Sequence, residues 1–310
     1  MSELDARASA REPAAIAVAP ARATRRSLAP LARVLWRPRV LPGLLPTLGF
    51  TLFYLSALVL TPILALLVRT TSLSWSQTLA IVSAPRTFAA LALSFGAAFA
   101  AALLNTLVGT LVAWVLARYR FPGRTLLDAV VDLPFALPTS VAGIALTYVY
   151  SEHGWIGSYA AHLGVPIAFT RFGIVVALTF VGMPFVVRTV QPVMQEIDAQ
   201  IEEAAASLGA TKFQTFSRVL LPLLAPAIGT GFALSFARAV GEYGSVLFIA
   251  GNMPMRTEIA PLLIVSKLEQ FDYAGAAVIG SAMLGVALVV LLTVQLLERS
   301  LERKLGGGAS

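Results

Sequence analysis

Apolar residues in this chain do not alternate with polar ones but run together in long stretches with few charges. A bilayer core takes about 20 such residues as helix, so these stretches can be counted as candidate spans. Six emerge. The first is 47–68, TLGFTLFYLSALVLTPILALLV, and the second lies within 88–117, whose thirty uncharged residues imply tilt or an end protruding from lipid. The third, about 129–150, has Asp132 near its start and contains Pro134 and Pro138. The fourth is 172–192, with Arg188 near one end; the fifth, about 219–250, is interrupted by Arg238 and Glu242; the sixth is 276–297. This pattern predicts an all-α polytopic membrane protein with six transmembrane helices in a body spanning 46–300. Residues 1–45 and 301–310 are expected to be tails, the first basic and mostly disordered. No apolar stretch before Thr47 suits a secretory leader, so the first span reads as retained.

Composition sharpens the picture. Of 310 residues, 57% are hydrophobic and 13% charged, about half the charge of an ordinary soluble domain. The net charge of +7 suggests nucleic acid only until the basic residues are placed, because they fall between spans and in the N-terminal tail. Seventeen lie on the side shared by both termini and five on the other, with Arg238 within a span. Basic loops stay inside, so the N- and C-termini are expected to be cytoplasmic. With no cysteine there is neither a disulfide nor a thiolate metal site, and His153 and His162 form no metal constellation. No catalytic grouping and no G-x-x-x-x-G-K-[ST] phosphate loop occurs, so no cofactor is expected and the chain is not expected to be an enzyme. Loops of about twenty residues near 151–171 and 252–275 are too short to form a domain that captures solute.

One polar stretch stands apart. From Pro192 to Arg218 the chain is too polar for lipid yet rich in helix formers, among them Glu202 to Ala206. A helix is expected there, ended by Gly209 in a left-handed cap, with a second piece from Thr211 to Arg218 re-entering the membrane at Leu221-Pro222. An amphipathic connector lying in the headgroups is the plain reading. The spacing points further: Glu203-Ala204-Ala205, three residues, Gly209, nine residues, Val219-x-Leu221-Pro222 closely resembles the E-A-A-x3-G-x9-I-x-L-P signature of ATP-binding-cassette importer permeases, with Val219 for the usual Ile. NTLVGTLVAWVLARYRFPGR (105–124), LPFALPTSVAGIAL (133–146) and FARAVGEYGSVLFIAGNMP (236–254) are similar to the sulfate/thiosulfate branch of that family, its T-type permease subunit.

That resemblance implies a type I importer (MetI-like) permease fold in a bacterial inner membrane, with the region 196–218 as a cytoplasmic coupling helix. Glu203, Ala204, Ala205 and Gly209 would then meet a cytoplasmic ATPase dimer. It also implies a second, W-type permease subunit, a periplasmic sulfate/thiosulfate-binding protein, and sulfate or thiosulfate as substrate. Molybdate or tungstate import shares much of the pattern. From a different class, a secondary anion carrier also remains, with Glu242 as its candidate coupling carboxylate.

Arg238 and Glu242 are four apart and can pair on a helical face, which makes a charge inside the span tolerable. Two readings stand: a structural ion pair, or a guanidinium lending positive potential to an anion pathway while Glu242 holds it. Among the remaining polar residues, Asp128 and Asp132 are expected near the interface, one pairing with Arg124, and Arg188 is expected to snorkel. Asn105 is expected to bond across helices, and Pro134 and Pro138 to kink the third span.

Overall fold

The computed structural model describes residues 44–306, with side chains described for 46–296. The expected tail therefore lies outside the described residues except for its last two positions, which are already helical, since α1 runs Leu44–Thr71. Residues 307–310 also lie outside, and the expected C-terminal tail from 301 is helical as far as Gly306. The chain divides into two units. In the first, up to Ala57, the described residues are one helical stretch with the Phe50 and Tyr54 rings stacked 6.2 Å apart. The second unit is Leu58–Ser310.

After α1 come α2 (Trp75–Ser83), α3 (Pro85–Arg118), α4 (Arg124–Ala136), α5 (Thr139–Tyr150), α6 (Trp155–His162), α7 (Arg171–Glu196) and α8 (Ala199–Ser207). A short α9 (Lys212–Thr215) continues through a π turn (Phe216–Leu220) into α10 (Leu221–Val240). Then follow α11 (Gly244–Ile249), α12 (Ala260–Glu269) and α13 (Tyr273–Gly306). Among the described residues, five helical stretches are long and apolar enough to cross a membrane: Pro46–Thr71, Pro85–Arg118, Arg171–Glu196, Lys212–Val240 and Tyr273–Leu296. The expected third span is instead the pair α4 and α5, bent by 116°, which makes six if the pair counts as one.

Two expected spans are thus corrected. In the first, the kink expected at the prolines is present, but at only one of them. Pro134 sits inside α4, whereas the break falls at Leu137-Pro138, where Leu137 is extended, as residues before proline are. The fifth span stops at Val240 instead of 250; Gly241 closes it, and α11 starts a separate short helix. At the other end of α10, Pro222 has no N–H to donate to the Arg218 carbonyl, and the Leu221 N–H reaches back to Phe216, giving the π turn.

The packed centre is α3, α7 and α10. Inside a bilayer there is no water to squeeze out between helices, so close approach of small residues does the packing. Ala97, Ala98, Ala101 and Ala102 of α3 meet Ala177 and Leu178 of α7 and Phe236 and Ala239 of α10 in one apolar cluster. Ala113 and Leu116 meet Val186, Val190 and Leu224 in a second. Between the two, Asn105 Nδ2 donates to Ser235 Oγ at 3.1 Å, both side chains fully buried, which is the cross-helix bond expected of Asn105.

The second half of the bent pair packs on the short helix after the fifth span, α5 against α11. The fit leaves no room for a methyl group: a Cβ on Gly143 would lie 2.5 Å from the Ser245 carbonyl oxygen and 2.8 Å from its Cα, both backbone atoms. Replacing Gly143 with Ala must therefore push α5 off α11. The expected cost is of the order seen for overpacking, ~1–3 kcal/mol, read as a lowered midpoint of thermal unfolding in detergent, and a variant as stable as the parent would contradict this packing.

Candidate functional site

The coupling segment is built from two capped helices. Asp198 accepts the Gln200 N–H at 3.0 Å, so α8 begins at Ala199; Pro192 to Glu196, expected in this helix, instead complete α7. At the other end Gly209 has φ +83, and the Ala210 and Gly209 N–H groups bond the Ala205 and Ala206 carbonyls, each at 3.0 Å. This pair of bonds is a Schellman motif, and the left-handed cap expected at Gly209 is present. Nothing lies within 4 Å of a Cβ placed there, so backbone conformation rather than space calls for glycine. Thr211 then opens α9 in a capping box with Gln214, its N–H donating to Gln214 Oε1 at 2.8 Å. Only Ala210 separates the two capped ends.

One edge of α8 is tied to the body and the other is open. Arg118, at the end of α3, places Nη2 2.7 Å from Glu202 Oε1. That approach lies off the line of an N–H, so it is an ionic contact and not an aligned hydrogen bond. Both Nη groups of Arg118 also donate to the Ile197 carbonyl at 3.3 Å. Half-exposed ion pairs contribute only ~0–1 kcal/mol, so the contact positions the helix more than it stabilises it. Glu203 and Ala204 face outward, Ala205 is half-buried, and Leu208 and Phe213, on either side of the turn, are 89% and 77% exposed. The Arg118–Glu202 tether was not visible in the sequence, because 84 residues separate its partners and no local pattern links them.

The second set of candidate residues lies where α10 ends. Arg238 in its last turn and Glu242 just beyond it pair as expected, Nη1 to Oε2 at 2.5 Å, but across the end of the helix and not along a continuous face. The guanidinium is one-third exposed and the carboxylate almost wholly buried. Glu242 Oε1 accepts both the Ser245 N–H and its hydroxyl at 2.9 Å, so the same carboxylate satisfies the start of α11. A cation at a helix C-terminus and an anion at the next N-terminus each suit the local dipole. Gly244 lies against α5, where a Cβ would meet Thr139 Oγ1 and sit 3.2 Å from the Ser140 N–H nitrogen. The break in the third span and the end of the fifth therefore share one place.

A third constellation corrects two expectations. Arg188 does not snorkel, and neither aspartate pairs with Arg124. Arg188 forks onto Asp132 through Nε at 2.8 Å and Nη2 at 2.6 Å, and Nη1 reaches Asp128 Oδ1 at 2.8 Å. The Gln191 side chain and the Asp128 carbonyl take the two remaining N–H groups at 3.0 and 3.1 Å. All five donors are used, which pins α4 to α7. The remaining ion pairs are Arg86 with the buried Glu258, at 2.8 and 2.7 Å, and Lys267 with Asp272 at 2.9 Å. Lys267 and the Gly275 N–H both hold the Asp272 carboxyl below the usual carboxylate range.

Residues 105–306 match the family described as binding-protein-dependent transport system inner membrane component. The chain belongs to this family. Among curated members, a protein of Nephroselmis olivacea named probable sulfate transport system permease protein cysT is 52% identical over 258 residues, 83% of this chain and 91% of the relative. The sulfate transport system permease protein CysT of Salmonella typhimurium is 45% identical over 269 residues, 87% and 97% of the two chains. These relatives are transport permeases and not enzymes. Among solved structures, a bacterial ABC transporter that imports the acidic polysaccharide alginate superposes with a TM-score of 0.69 at 16% identity, covering 83% of this chain and 95% of that one. The same kind of transporter in complex with an alginate pentasaccharide-bound periplasmic protein gives 0.68 at 17% identity. The fold is thus that of a type I importer permease, in a multi-pass protein of an inner-membrane transport family.

Within that fold the cap at Gly209 offers a direct check. Gly209→Ala places a Cβ in the left-handed region at a cost of ~1 kcal/mol, and Gly209→Asn should cost less. Hydrogen exchange across 199–215 should quicken about fivefold in the alanine variant, the equivalent of ~1 kcal/mol, with the spans unaffected; equal rates in all three proteins would show that the cap does not depend on glycine.

Proposed function

We propose that this chain is the membrane-spanning subunit of an ATP-driven importer for sulfate and thiosulfate. In this reading it forms half of the translocation path and takes its energy from a separate ATPase dimer. The observation that carries the reading is the short helix α8, exposed along Glu203 and Ala204, flanked by the outward Leu208 and Phe213, and held to the body by Arg118. Small side chains let another surface come close, Glu203 offers it a charge, and two exposed apolar residues suit a shallow cleft. The chain has no phosphate loop of its own, so the nucleotide must be bound by a partner. The excess of basic residues on the same side supports placing α8 and both termini in the cytoplasm. The substrate follows the names of relatives that match at 45–52% identity over most of their length, which favours sulfate over molybdate or tungstate. A second, W-type permease subunit and a periplasmic sulfate-binding protein complete the proposed assembly.

For the path itself we assign Arg238 and Glu242. Arg238 keeps a third of its side chain accessible, and Glu242 orients it while limiting its pull on a dianion, so that cargo is not trapped. The hydroxyls of Thr139 and Ser140, at the start of α5, are brought to the same place by Gly244. The fully engaged Arg188 has no donor left for an anion.

Two experiments test these assignments. A cysteine at Ala204, in membranes holding the whole transport system, is expected to crosslink to an ATP-binding subunit; a protein that still imports sulfate at the expense of ATP but yields no such product would overturn the coupling role. Arg238→Ala is expected to cut sulfate uptake by at least about tenfold, the ~1.5 kcal/mol lower bound for a hydrogen bond to a charged group, while the complex assembles and hydrolyses ATP. Arg238→Gln combined with Glu242→Gln removes both charges without stranding a buried carboxylate. Normal uptake by that double variant would leave the pair a purely structural role.

A further inference from the structure

The loop after α3 folds back on the helix it leaves. Phe121, Pro122, Gly123 and Arg124 form a type II turn, with the Arg124 N–H donating to the Phe121 carbonyl at 3.3 Å and Gly123 at φ 88, ψ 0. The turn sets Phe121 against the last turns of α3 and closes one side of a groove of about 590 Å³, lined by Leu111, Trp114, Val115, Tyr119, Arg120 and Phe121. Five of these six side chains are apolar or aromatic. Trp114 is fixed in place by Phe216, their ring centroids 4.7 Å apart.

The charge at this groove is one-sided. Arg118 is engaged by Glu202 and the Ile197 carbonyl. Arg120 is exposed and makes no ion pair or side-chain hydrogen bond among the described residues. No acidic residue lines the groove. A free guanidinium thus sits at the mouth of a greasy channel, beside a Trp and a Tyr of the kind that settle at headgroup depth, at the end of a membrane-crossing helix. Acyl chain below and phosphate above is the chemistry that matches both parts, and basic pockets beside membrane helices take anionic headgroups.

We infer that this groove is a binding site for an anionic phospholipid, its acyl chain lying along Leu111, Trp114, Val115 and Phe121 and its phosphate held by Arg120. The lipid fills the space between the α3 terminus and the turn and so braces the end of α3 that carries Arg118. The site is separate from the proposed anion path and from the exposed edge of α8.

The test uses the full chain in vesicles with Trp36→Phe, Trp75→Phe and Trp155→Phe, which leaves Trp114 as the sole tryptophan. Brominated phosphatidylglycerol or brominated phosphatidylcholine is added in equal small proportion to an unlabelled phosphatidylcholine background. Trp114 should be quenched with about fivefold preference for the brominated anionic lipid, the equivalent of ~1 kcal/mol for one basic side chain at an anionic headgroup. Arg120→Gln should abolish the preference, and Arg124→Gln, which removes the same charge outside the groove, should keep it. Equal quenching by the two lipids, or an equal loss in both variants, would reduce the effect to general surface charge and overturn the site. No quenching by either lipid would show the groove covered by protein, and would overturn it as well.

Discussion

A broken helix inside a bilayer must find partners for its freed backbone groups, because no water is there to take them. This chain breaks its third span and packs the break against the short helix that follows its fifth. The buried carboxylate of Glu242 receives the Ser245 N–H and hydroxyl at the start of α11, while Gly143 and Gly244 let α5 and α11 approach until only hydrogen atoms fit between the backbones. Arg238 compensates the buried charge. Each of these residues is costly alone: an unpaired carboxylate, an intramembrane arginine, a glycine in a helix. Together they make an irregular region in the membrane that is polar, tightly fitted and still accessible on one side through the guanidinium.

The straight helices around that region are simpler. Alanine, glycine and valine along α3, α7 and α10 give the close packing that lipid-exposed helices need, and the Asn105–Ser235 bond fixes their register. The Arg188 fork then fastens α4, the first half of the bent pair, to the same core. One side of the bend is therefore anchored to the straight bundle and the other to α11. In the proposed importer, a change in the bend would alter the surroundings of Arg238 directly.

Much of this was legible from the chain alone, for reasons that differ by element. Uncharged runs of span length announce themselves, and four of the five long stretches fall within a few residues of their expected positions, the fifth being displaced toward the N-terminus. The Glu203–Gly209 segment was readable because a helix cap depends on local sequence: glycine at the left-handed position, with threonine and glutamine three apart to restart. Contacts between distant residues were not readable. Arg188 was assigned to the interface because sequence places it near a helix end, while its carboxylate partners lie on another helix 56 and 60 residues away. The 116° bend was legible only as an interruption: Pro134 and Pro138 signal it but do not encode its angle, and the close fits of Gly143 and Gly244 where α5 meets α11 join residues far apart in the chain.

The junction at Ala210 has a mechanical consequence. With a Schellman cap on one side and a capping box on the other, a lone residue joins α8 to the entry of α10, so in the proposed importer the two would act as a crank and not as a spring. In the proposed importer, a displacement of one arm would be handed on to the other. An added residue at this joint would part the two caps, so the joint sets how closely the arms are held.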